Sequence, residues 1–276
     1  MKTWLVTGCS SGIGAGIAKA VLANGDNAVI TARNPNVLQD LVKQYPDHAL
    51  AVKLDITNND DIKAAVDAAV EKFGTVDVLV NNAGYGYRAA VEEGEPGEVA
   101  VLFNTNVFGP VELIKAVLPV MREKKSGVIL NVSSIAAVRS AVGSGYYAAS
   151  KAALELISDG LSKEVTPLGI QVTIVEPGAF RTHFYDTSLK GTSVKIDDYA
   201  ETAGKTRKEV VVNKGAQPGD PEKAGKLLVE LVEAGKLPSR LLLGSDAVKA
   251  VSASLEARIE EVKTWAETSS RTDFDE

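Results

Sequence analysis

The feature that most constrains this chain is a glycine-rich turn directly after its first apolar segment. Lys2 to Val6 are predicted to form a strand, and apolar residues recur at helical spacing from Ile13 to Leu22. Between them, residues 7–14 follow the pattern T-G-x-x-x-G-x-G. A helix N-terminus presents unpaired N–H groups and a partial positive charge, and glycine places no Cβ between the backbone and an anion. The turn is therefore predicted to bind a phosphate group; the alternative is a tight turn without a ligand.

Strands and helices alternate along most of the remaining chain. Further strands are predicted at Ala28–Ala32, Ala49–Leu54, Val76–Val80, Val128–Val132, Gln171–Val175 and Arg240–Leu243. Strands rich in Val, Ile and Leu that alternate with helices indicate βαβ units in a parallel sheet. We therefore predict a single α/β domain over residues 1–276, with a Rossmann-type, doubly wound, mostly parallel sheet of seven strands and helices on both faces. Its ligand crevice would lie at the carboxyl ends of the strands.

Two segments depart from this alternation. Residues 178–219 form a long stretch rich in Thr, Ser, Lys and Gly with weak periodicity, so we predict a substrate-loop insertion that acts as a lid. Residues 269–276 are predicted to be a frayed tail.

Charge and cysteine content narrow the functional class. The chain has 30 basic and 36 acidic side chains, a net charge of −6, and no basic stripe suited to nucleic acid. We expect no membrane span, since no continuous apolar run approaches roughly 18 residues, and we expect no secretory leader. One cysteine, Cys9, fits a reducing compartment, so a cytoplasmic location is expected. The two histidines, His48 and His183, lack ligand spacing, and no metal site is expected.

The segment Tyr147–Lys151 carries the sharpest chemical signal after the glycine turn. On a helix, residues four apart share a face, so the phenol and the ammonium are neighbours. A nearby cation favours the phenolate and lowers a tyrosine pKa from its ordinary value of about 10 towards the range of a proton-transfer catalyst. Taken alone, the pair also fits an ordinary amphipathic helix.

Further motifs lie at the ends of the predicted strands and accompany the Tyr147 and Lys151 pair. Ser134 closes the predicted fifth strand, thirteen residues before Tyr147, Asn81–Gly84 close the fourth, and Pro177-Gly178 follow the sixth. In this order, and together with the glycine turn, they resemble classical short-chain dehydrogenases/reductases over residues 7–182. The resemblance implies a catalytic tetrad, which maps onto Asn106, Ser134, Tyr147 and Lys151.

The resemblance also implies roles for the tetrad. Tyr147 would donate a proton to a carbonyl oxygen while a hydride arrives from the nicotinamide, and Ser134 would hold that oxygen. Lys151 would bind the nicotinamide ribose and lower the tyrosine pKa, and Asn106 would anchor a water that links the lysine to solvent. Without the resemblance, Asn106 is better explained as a helix-interior amide bonded to the backbone. Ser133 would point to the opposite face of its strand and is assigned a structural role.

The implied cofactor site is a nicotinamide dinucleotide pocket. Its residues are Gly8, Ser10, Ser11, Gly12, Ile13, Gly14, Asp55, Ile56, Asn82, Ala83, Gly84, Tyr147, Lys151, Pro177, Gly178 and Thr182. NAD binding usually uses an acid at the end of the second strand for the ribose 2′-hydroxyl. Here Arg33 stands at that end without a carboxylate, and a guanidinium suits a 2′-phosphate, so NADP(H) is favoured over NAD(H). The alternatives are that Arg33 is a solvated turn residue and the enzyme is NAD-dependent.

A mostly apolar carbonyl or alcohol is the expected small-molecule substrate. Pocket candidates are Tyr85, Tyr87, Val138, Arg139, His183, Phe184 and Tyr185. Ketone or aldehyde reductases and hydroxysteroid- or retinol-type dehydrogenases are equally compatible, and a non-catalytic NADP-sensing protein is the alternative from another class. The resemblance implies a homodimer or homotetramer through Glu98–Met121 and Tyr147–Val165; the C-terminal part could instead cap a monomer.

Overall fold

Seven strands assemble into one parallel sheet with the first strand near its centre. The computed structural model describes residues 1–210 and 215–274. The strands are β1 (Thr3–Val6), β2 (Asn27–Ala32), β3 (Ala49–Lys53), β4 (Val78–Asn81), β5 (Gly86–Arg88), β6 (Gly127–Val132), β7 (Ile170–Pro177), β8 (Leu189–Gly191) and β9 (Arg240–Leu243). The large sheet has the order β3-β2-β1-β4-β6-β7-β9, and Val6 of β1 lies beside Ile30 and Val80. This confirms the predicted doubly wound α/β fold in a single domain.

Helices cover both faces of the sheet. They are α1 (Gly12–Ala23), α2 (Gln39–Gln44), α3 (Asn59–Phe73), α4 (Pro96–Phe103), α5 (Gly109–Lys124), α6 (Gly145–Val165), α7 (Pro221–Glu233) and α8 (Ser245–Ser270). One core joins the sheet to α1 and α7, through side chains such as Ile17 and Leu228. The other joins the opposite face to α3 and α5, through side chains such as Ile62 and Leu113. Because both faces are buried, the strands carry continuous apolar runs.

A second, two-stranded sheet was not predicted. β5 pairs in parallel with β8, with Tyr87 opposite Lys190. Three-residue strands carry almost no periodic signal, and their pairing joins segments about a hundred residues apart in the chain. The small sheet fastens the predicted lid segment to the loop that follows β4.

The predicted helix at Glu98–Met121 is longer and contains a wide turn. α4 continues through a π-helical turn, Asn104–Phe108, directly into α5. Among the described residues, the run Pro96–Lys124 also has the length and apolar character of a membrane span, contrary to the expectation that no segment does. Core helices of globular proteins meet the same criterion, and α5 contributes Leu113 and Met121 to the core under the sheet.

The described part of the segment 178–219 is tied to the body of the protein. Besides β8 it contains short 3₁₀ turns at Asp197–Tyr199 and Ala203–Thr206. Glu93, fully buried in the loop after β5, pairs with Arg207 and accepts the backbone N–H of Ile196 at 2.9 Å. The remaining residues 211–214 of the predicted lid lie outside the described part of the chain.

The last helix projects from the domain. α8 runs to Ser270, so the first residues of the predicted frayed tail are helical, and residues 275–276 lie outside the described part. Its buried residues are Ala247 and Val251, near its start. Beyond them Leu255, Ile259 and Val262 recur on one side of the helix and are exposed.

Candidate active site

Tyr147 lies in the first turn of α6, beside the residue that follows β6. Ser134 is that residue, and a hydrogen bond joins the Ser134 and Tyr147 side chains. The Ser134 Oγ also accepts the backbone N–H of Ala136 at 3.1 Å, which fixes its orientation. Burial raises the pKa of Tyr147 to about 12. The phenol is therefore protonated at neutral pH and can donate a proton.

Lys151 lies one helical turn after Tyr147 and is buried. Its Nζ donates to the Val132 backbone carbonyl at the end of β6, 2.9 Å away. Burial lowers the pKa of Lys151 to about 8, and the negative charge of Glu155 opposes that shift. The ammonium is thus held at the carboxyl edge of the sheet, beside the tyrosine helix.

Arg88 adds electrostatic support for Tyr147 that the resemblance did not imply. The Ser134 hydrogen bond and the positive charge of Arg88 both act to lower the Tyr147 pKa, against the larger effect of burial. The Lys151 ammonium donates to a backbone carbonyl of the sheet. That Lys151 lowers the Tyr147 pKa stays a prediction.

Asn106 lies in the π-helical turn between α4 and α5, fully buried. Its Nδ2 donates to the Tyr85 carbonyl at 2.9 Å and to Ser150 Oγ at 3.1 Å, and its Oδ1 accepts the Tyr85 N–H at 3.1 Å. A Cβ on Gly84 would stand 3.0 Å from Asn106 Oδ1 and 3.4 Å from Lys151 Nζ. Asn106 and the lysine therefore both lie close to Gly84, where even a methyl group would be a tight fit.

The glycine turn at the start of α1 is held by the segment after β4. Thr7 Oγ1 accepts the backbone N–H groups of Asn82 and Ala83, each at 2.9 Å. Asn82 Nδ2 in turn donates to the Thr7 carbonyl at 2.8 Å. Asn82, predicted to belong to the cofactor site, thus directs its amide to the turn.

A dinucleotide fits this turn. The N-cap Ser11 makes no side-chain capping hydrogen bond, and the first turn of α1 carries no acid. Its N–H groups are therefore available to an anion in the adjoining cleft. Gly8 and Gly12 have positive φ angles of 72° and 61°, a conformation that favours glycine.

One cleft of about 690 Å³ gathers most of the predicted site. The predicted residues that line it are Gly8, Ser10, Ser11, Gly12, Ile13, Arg33, Asp55, Ile56, Asn82, Ala83, Gly84, Ser134, Tyr147, Lys151, Pro177, Gly178 and Thr182. Two predicted residues, Gly14 and Asn106, are absent from its lining. Gly14 packs beneath the turn, where a Cβ would stand 2.4 Å from the Gly8 carbonyl oxygen. Gly14 and Asn106 therefore lie beneath the residues that line the cleft and hold them in place.

Arg33 and Asp55, two of the predicted cofactor-binding residues, line the cofactor end of the cleft. Arg33 directly follows β2 and is exposed on the cleft wall. Asp55 Oδ1 accepts the N–H of Thr57 at 3.0 Å and its hydroxyl at 2.7 Å.

The other end of the cleft carries aromatic side chains and a cation that sequence reasoning missed. Tyr85, Tyr87, Arg139, Phe184 and Tyr185 line the cleft as expected, whereas Val138 and His183 are absent from its lining. Arg88, which was not predicted, lines it too and contacts Ser144. Its position four residues after Asn81–Gly84, at the carboxyl edge of the sheet, is the signal that could have identified it.

Cys9 does not take part in the chemistry. Its side chain is buried, and its Sγ lies 3.1 Å from the Val6 carbonyl. Burial raises the pKa of the thiol to about 12, so it remains protonated and unreactive. Among residues 1–210 and 215–274, no group of three or more His, Cys, Asp or Glu could hold a metal ion.

The fold and the cleft define an oxidoreductase of the dinucleotide-binding class, with a tyrosine and a lysine beside the turn that fits the cofactor. The family model described as short chain dehydrogenase matches residues 2–192. The chain therefore belongs to the short-chain dehydrogenase/reductase family and is an enzyme that uses a nicotinamide cofactor.

Relatives and solved structures agree with this assignment. The chain is 36% identical to the oxidoreductase BOA17 of Botryotinia fuckeliana, over 97% of this chain and 98% of that protein. It is 35% identical to the 3-ketodihydrosphingosine reductase of Bacteroides thetaiotaomicron, over 87% of each. The crystal structure of a short-chain dehydrogenase from Streptomyces avermitilis is similar with a TM-score of 0.91 and 43% identity, covering 99% of this chain and 100% of that one.

Proposed function

We propose that this enzyme interconverts a ketone or aldehyde and its alcohol with NADP(H), using Tyr147 as the general acid and base. The observation that carries the proposal is the hydrogen-bonded pair Ser134 and Tyr147 at the end of the cleft, with Lys151 one turn behind. Two hydroxyl groups that converge on one point suit a carbonyl oxygen that gains negative charge during reduction.

Each member of the tetrad has a distinct task in this proposal. The bound cofactor supplies the hydride. Ser134 donates a hydrogen bond to the substrate oxygen, and Tyr147 delivers the proton that turns the developing alkoxide into an alcohol. Lys151 would hold the ribose hydroxyls of the nicotinamide half. Asn106 keeps the backbone of Tyr85 in place beside that lysine. In this proposal Asn106 would also anchor a water through which a proton returns from solvent.

The preference for NADP(H) rests on Arg33. It stands where an NAD-binding protein usually places an acid, and its exposed guanidinium lines the cofactor end of the cleft. Arginine binds phosphate through paired N–H groups, so it favours the cofactor that carries a 2′-phosphate.

The segment 178–219 is proposed to close over the substrate. Phe184 and Leu189 from this segment line the cleft, and the Phe184 ring centroid lies 5.9 Å from that of Tyr147. These contacts give the substrate end an apolar wall, which suits a mostly apolar substrate.

Assembly into a homodimer or homotetramer is proposed as well. Phe108, Leu156 and Ile157 expose apolar side chains on the helical faces implied for assembly, and the α8 stripe of Leu255, Ile259 and Val262 adds a second apolar surface. The expected cytoplasmic location remains a prediction.

The proposal is tested by following the loss of NADPH absorbance with a panel of ketones, aldehydes and quinones. NADH is run in parallel with every compound. Turnover that prefers NADPH supports both parts of the proposal. Tight NADPH binding without turnover of any carbonyl or alcohol would contradict it and favour a protein that only senses NADP.

A further inference from the structure

Arg88 occupies a position that the backbone fixes from two sides. It is the last residue of β5, and its carbonyl accepts the N–H of Thr192 at 3.0 Å, just beyond β8. The next residue, Ala89, donates its N–H to the Gly143 carbonyl at 3.0 Å, close to the start of α6. These two backbone hydrogen bonds fix the position from which the Arg88 side chain extends into the cleft.

The guanidinium of Arg88 lies beside the catalytic helix. Its Nη1 donates to Ser144 Oγ, and Ser144 directly precedes α6, three residues before Tyr147. Its charge acts on both Tyr147 and Tyr185, and burial lowers the pKa of Arg88.

Arg88 also has no carboxylate partner in the described part of the chain. Among the ion pairs of residues 1–210 and 215–274, none joins a carboxylate to Arg88. A guanidinium offers five N–H donors, and the hydrogen bond to Ser144 uses one of them. A partly buried cation without a partner is unfavourable by itself, and a bound anion would offset that cost.

The surroundings of Arg88 leave the substrate end of the cleft positively charged. Two ammonium groups also line the cleft: Lys190 pairs with Glu98 at 3.0 Å, and Lys151 donates to the Val132 carbonyl. Two acids line the cleft: Asp55 at the cofactor end, and Asp246, whose Oδ2 accepts the N–H of Ala179 at 2.8 Å. Neither of these carboxylates pairs with Arg88.

We infer that the substrate carries a carboxylate that Arg88 binds, next to an apolar body that packs on Phe184 and Tyr185. The inference rests on the proposed function and narrows its substrate to oxo acids and hydroxy acids. The two aromatic rings lie 5.5 Å apart, edge to face, and form the apolar side of this end of the cleft. Arginine binds a carboxylate through two parallel N–H donors, which also orients the substrate. A substrate with an ammonium group would be repelled.

A binding experiment separates this inference from catalysis. The NADP⁺-loaded enzyme is titrated with 4-ethylbenzoate and with 4-ethylbenzamide, which have the same shape, differ in charge and cannot react as ketones. The wild type should bind the acid about tenfold to a hundredfold more tightly, as expected for a charge-assisted hydrogen bond. Equal binding of acid and amide would overturn the inference.

Two variants locate the preference at Arg88. Arg88→Met should abolish it, while Arg122→Met, at an exposed cation outside the cleft, should retain it within about twofold. Arg88→Gln keeps a donor for Ser144 and should also lose the preference, which decides the matter if the methionine variant does not fold. A preference that survives in Arg88→Gln would contradict the inference.

Turnover of 4-acetylbenzoate and 4-acetylbenzamide distinguishes failure of the inference from failure of the proposed function. We expect a KM at least tenfold lower for the acid, and this difference should vanish in Arg88→Gln. Reduction of both compounds with equal KM would leave the proposed function intact and overturn the inference. Selective binding of the benzoate without reduction of any carbonyl would support the carboxylate site at Arg88 and contradict the proposed function.

Discussion

Gly84 and Asn106 approach each other so closely that a Cβ on the glycine would stand 3.0 Å from the asparagine Oδ1. The same Cβ would lie 3.4 Å from Lys151 Nζ. The glycine after β4 therefore sets the distance between the asparagine and the lysine that serve the proposed proton path. Its importance lies in the space it leaves, rather than in an unusual backbone angle.

We expect Gly84→Ala to lower kcat by about tenfold or more, because a small displacement of catalytic groups has a large effect on rate. The melting temperature should change little, since the new methyl meets a side-chain oxygen that can shift by a few tenths of an ångström. The control is Gly160→Ala within α6, where a Cβ meets nothing within 4 Å. It should stabilise the protein by about 0.5–1 kcal/mol and leave kcat unchanged. An unchanged kcat in Gly84→Ala would show that this contact is not critical.

Glu176 is expected to make the stability of the protein depend on pH. Its side chain is buried, its Oε1 lacks a hydrogen-bond partner in the described structure, and Arg240 Nε is 3.7 Å away. Burial, together with the negative charge of Glu155, raises the pKa of Glu176 from 4.5 to about 7. The folded state thus holds a proton that the unfolded state releases, and this stabilisation is lost as pH rises from about 4.5 to 7.

We therefore compare the free energy of unfolding of Glu176→Gln with that of the wild type at two pH values. The difference between them should shift in favour of the variant by about 1–3 kcal/mol between pH 4.5 and pH 8. Urea unfolding at several pH values measures this, with the exposed Glu164→Gln as a control that should follow the wild type. Parallel stability profiles for Glu176→Gln and the wild type would refute the assignment.

Arg33→Asp should change the cofactor preference from NADPH to NADH. The loss of a charge-assisted phosphate contact predicts a Kd for NADPH about tenfold to a hundredfold higher. The new carboxylate can accept the ribose 2′-hydroxyl, so the Kd for NADH should fall. Fluorescence titration with each cofactor gives both values. If NADPH affinity is unchanged, Arg33 does not select the cofactor.

The apolar stripe on α8 is expected to contribute to self-association. Ile259 is 53% exposed on the projecting part of the helix, and burying such a side chain contributes about 1.5–3 kcal/mol. Ile259→Glu should therefore weaken the oligomer, whereas Ala253→Glu, at an exposed position away from the stripe, should not. Light scattering over a range of protein concentrations measures the assembly. A monomeric mass for the wild type throughout would exclude this contribution.

The sequence predicted the large sheet well because its central strands are buried on both faces and carry continuous apolar runs. It also predicted Tyr147 and Lys151 together, since helical spacing alone places them on one face. The pairing of β5 with β8 could not be predicted, because three-residue strands are too short to show a periodic pattern. The two strands are also far apart in the sequence and meet only in the folded chain. The position of Arg88 shortly after Asn81–Gly84 pointed to the cleft, but its contact with Ser144 at the tyrosine helix depends on that small sheet.

The measurement that tests the central proposal most directly compares wild type and Tyr147→Phe in a single turnover with bound NADPH and the best carbonyl substrate. The variant retains the ring and lacks only the hydroxyl, so the Kd for NADPH should rise by no more than about tenfold, the effect of losing one neutral hydrogen bond. The rate of NADPH oxidation should fall by about 10²- to 10⁴-fold, as expected when a general acid is removed. A rate equal to that of the wild type, with the same NADPH affinity, would contradict the role of Tyr147 as the proton donor.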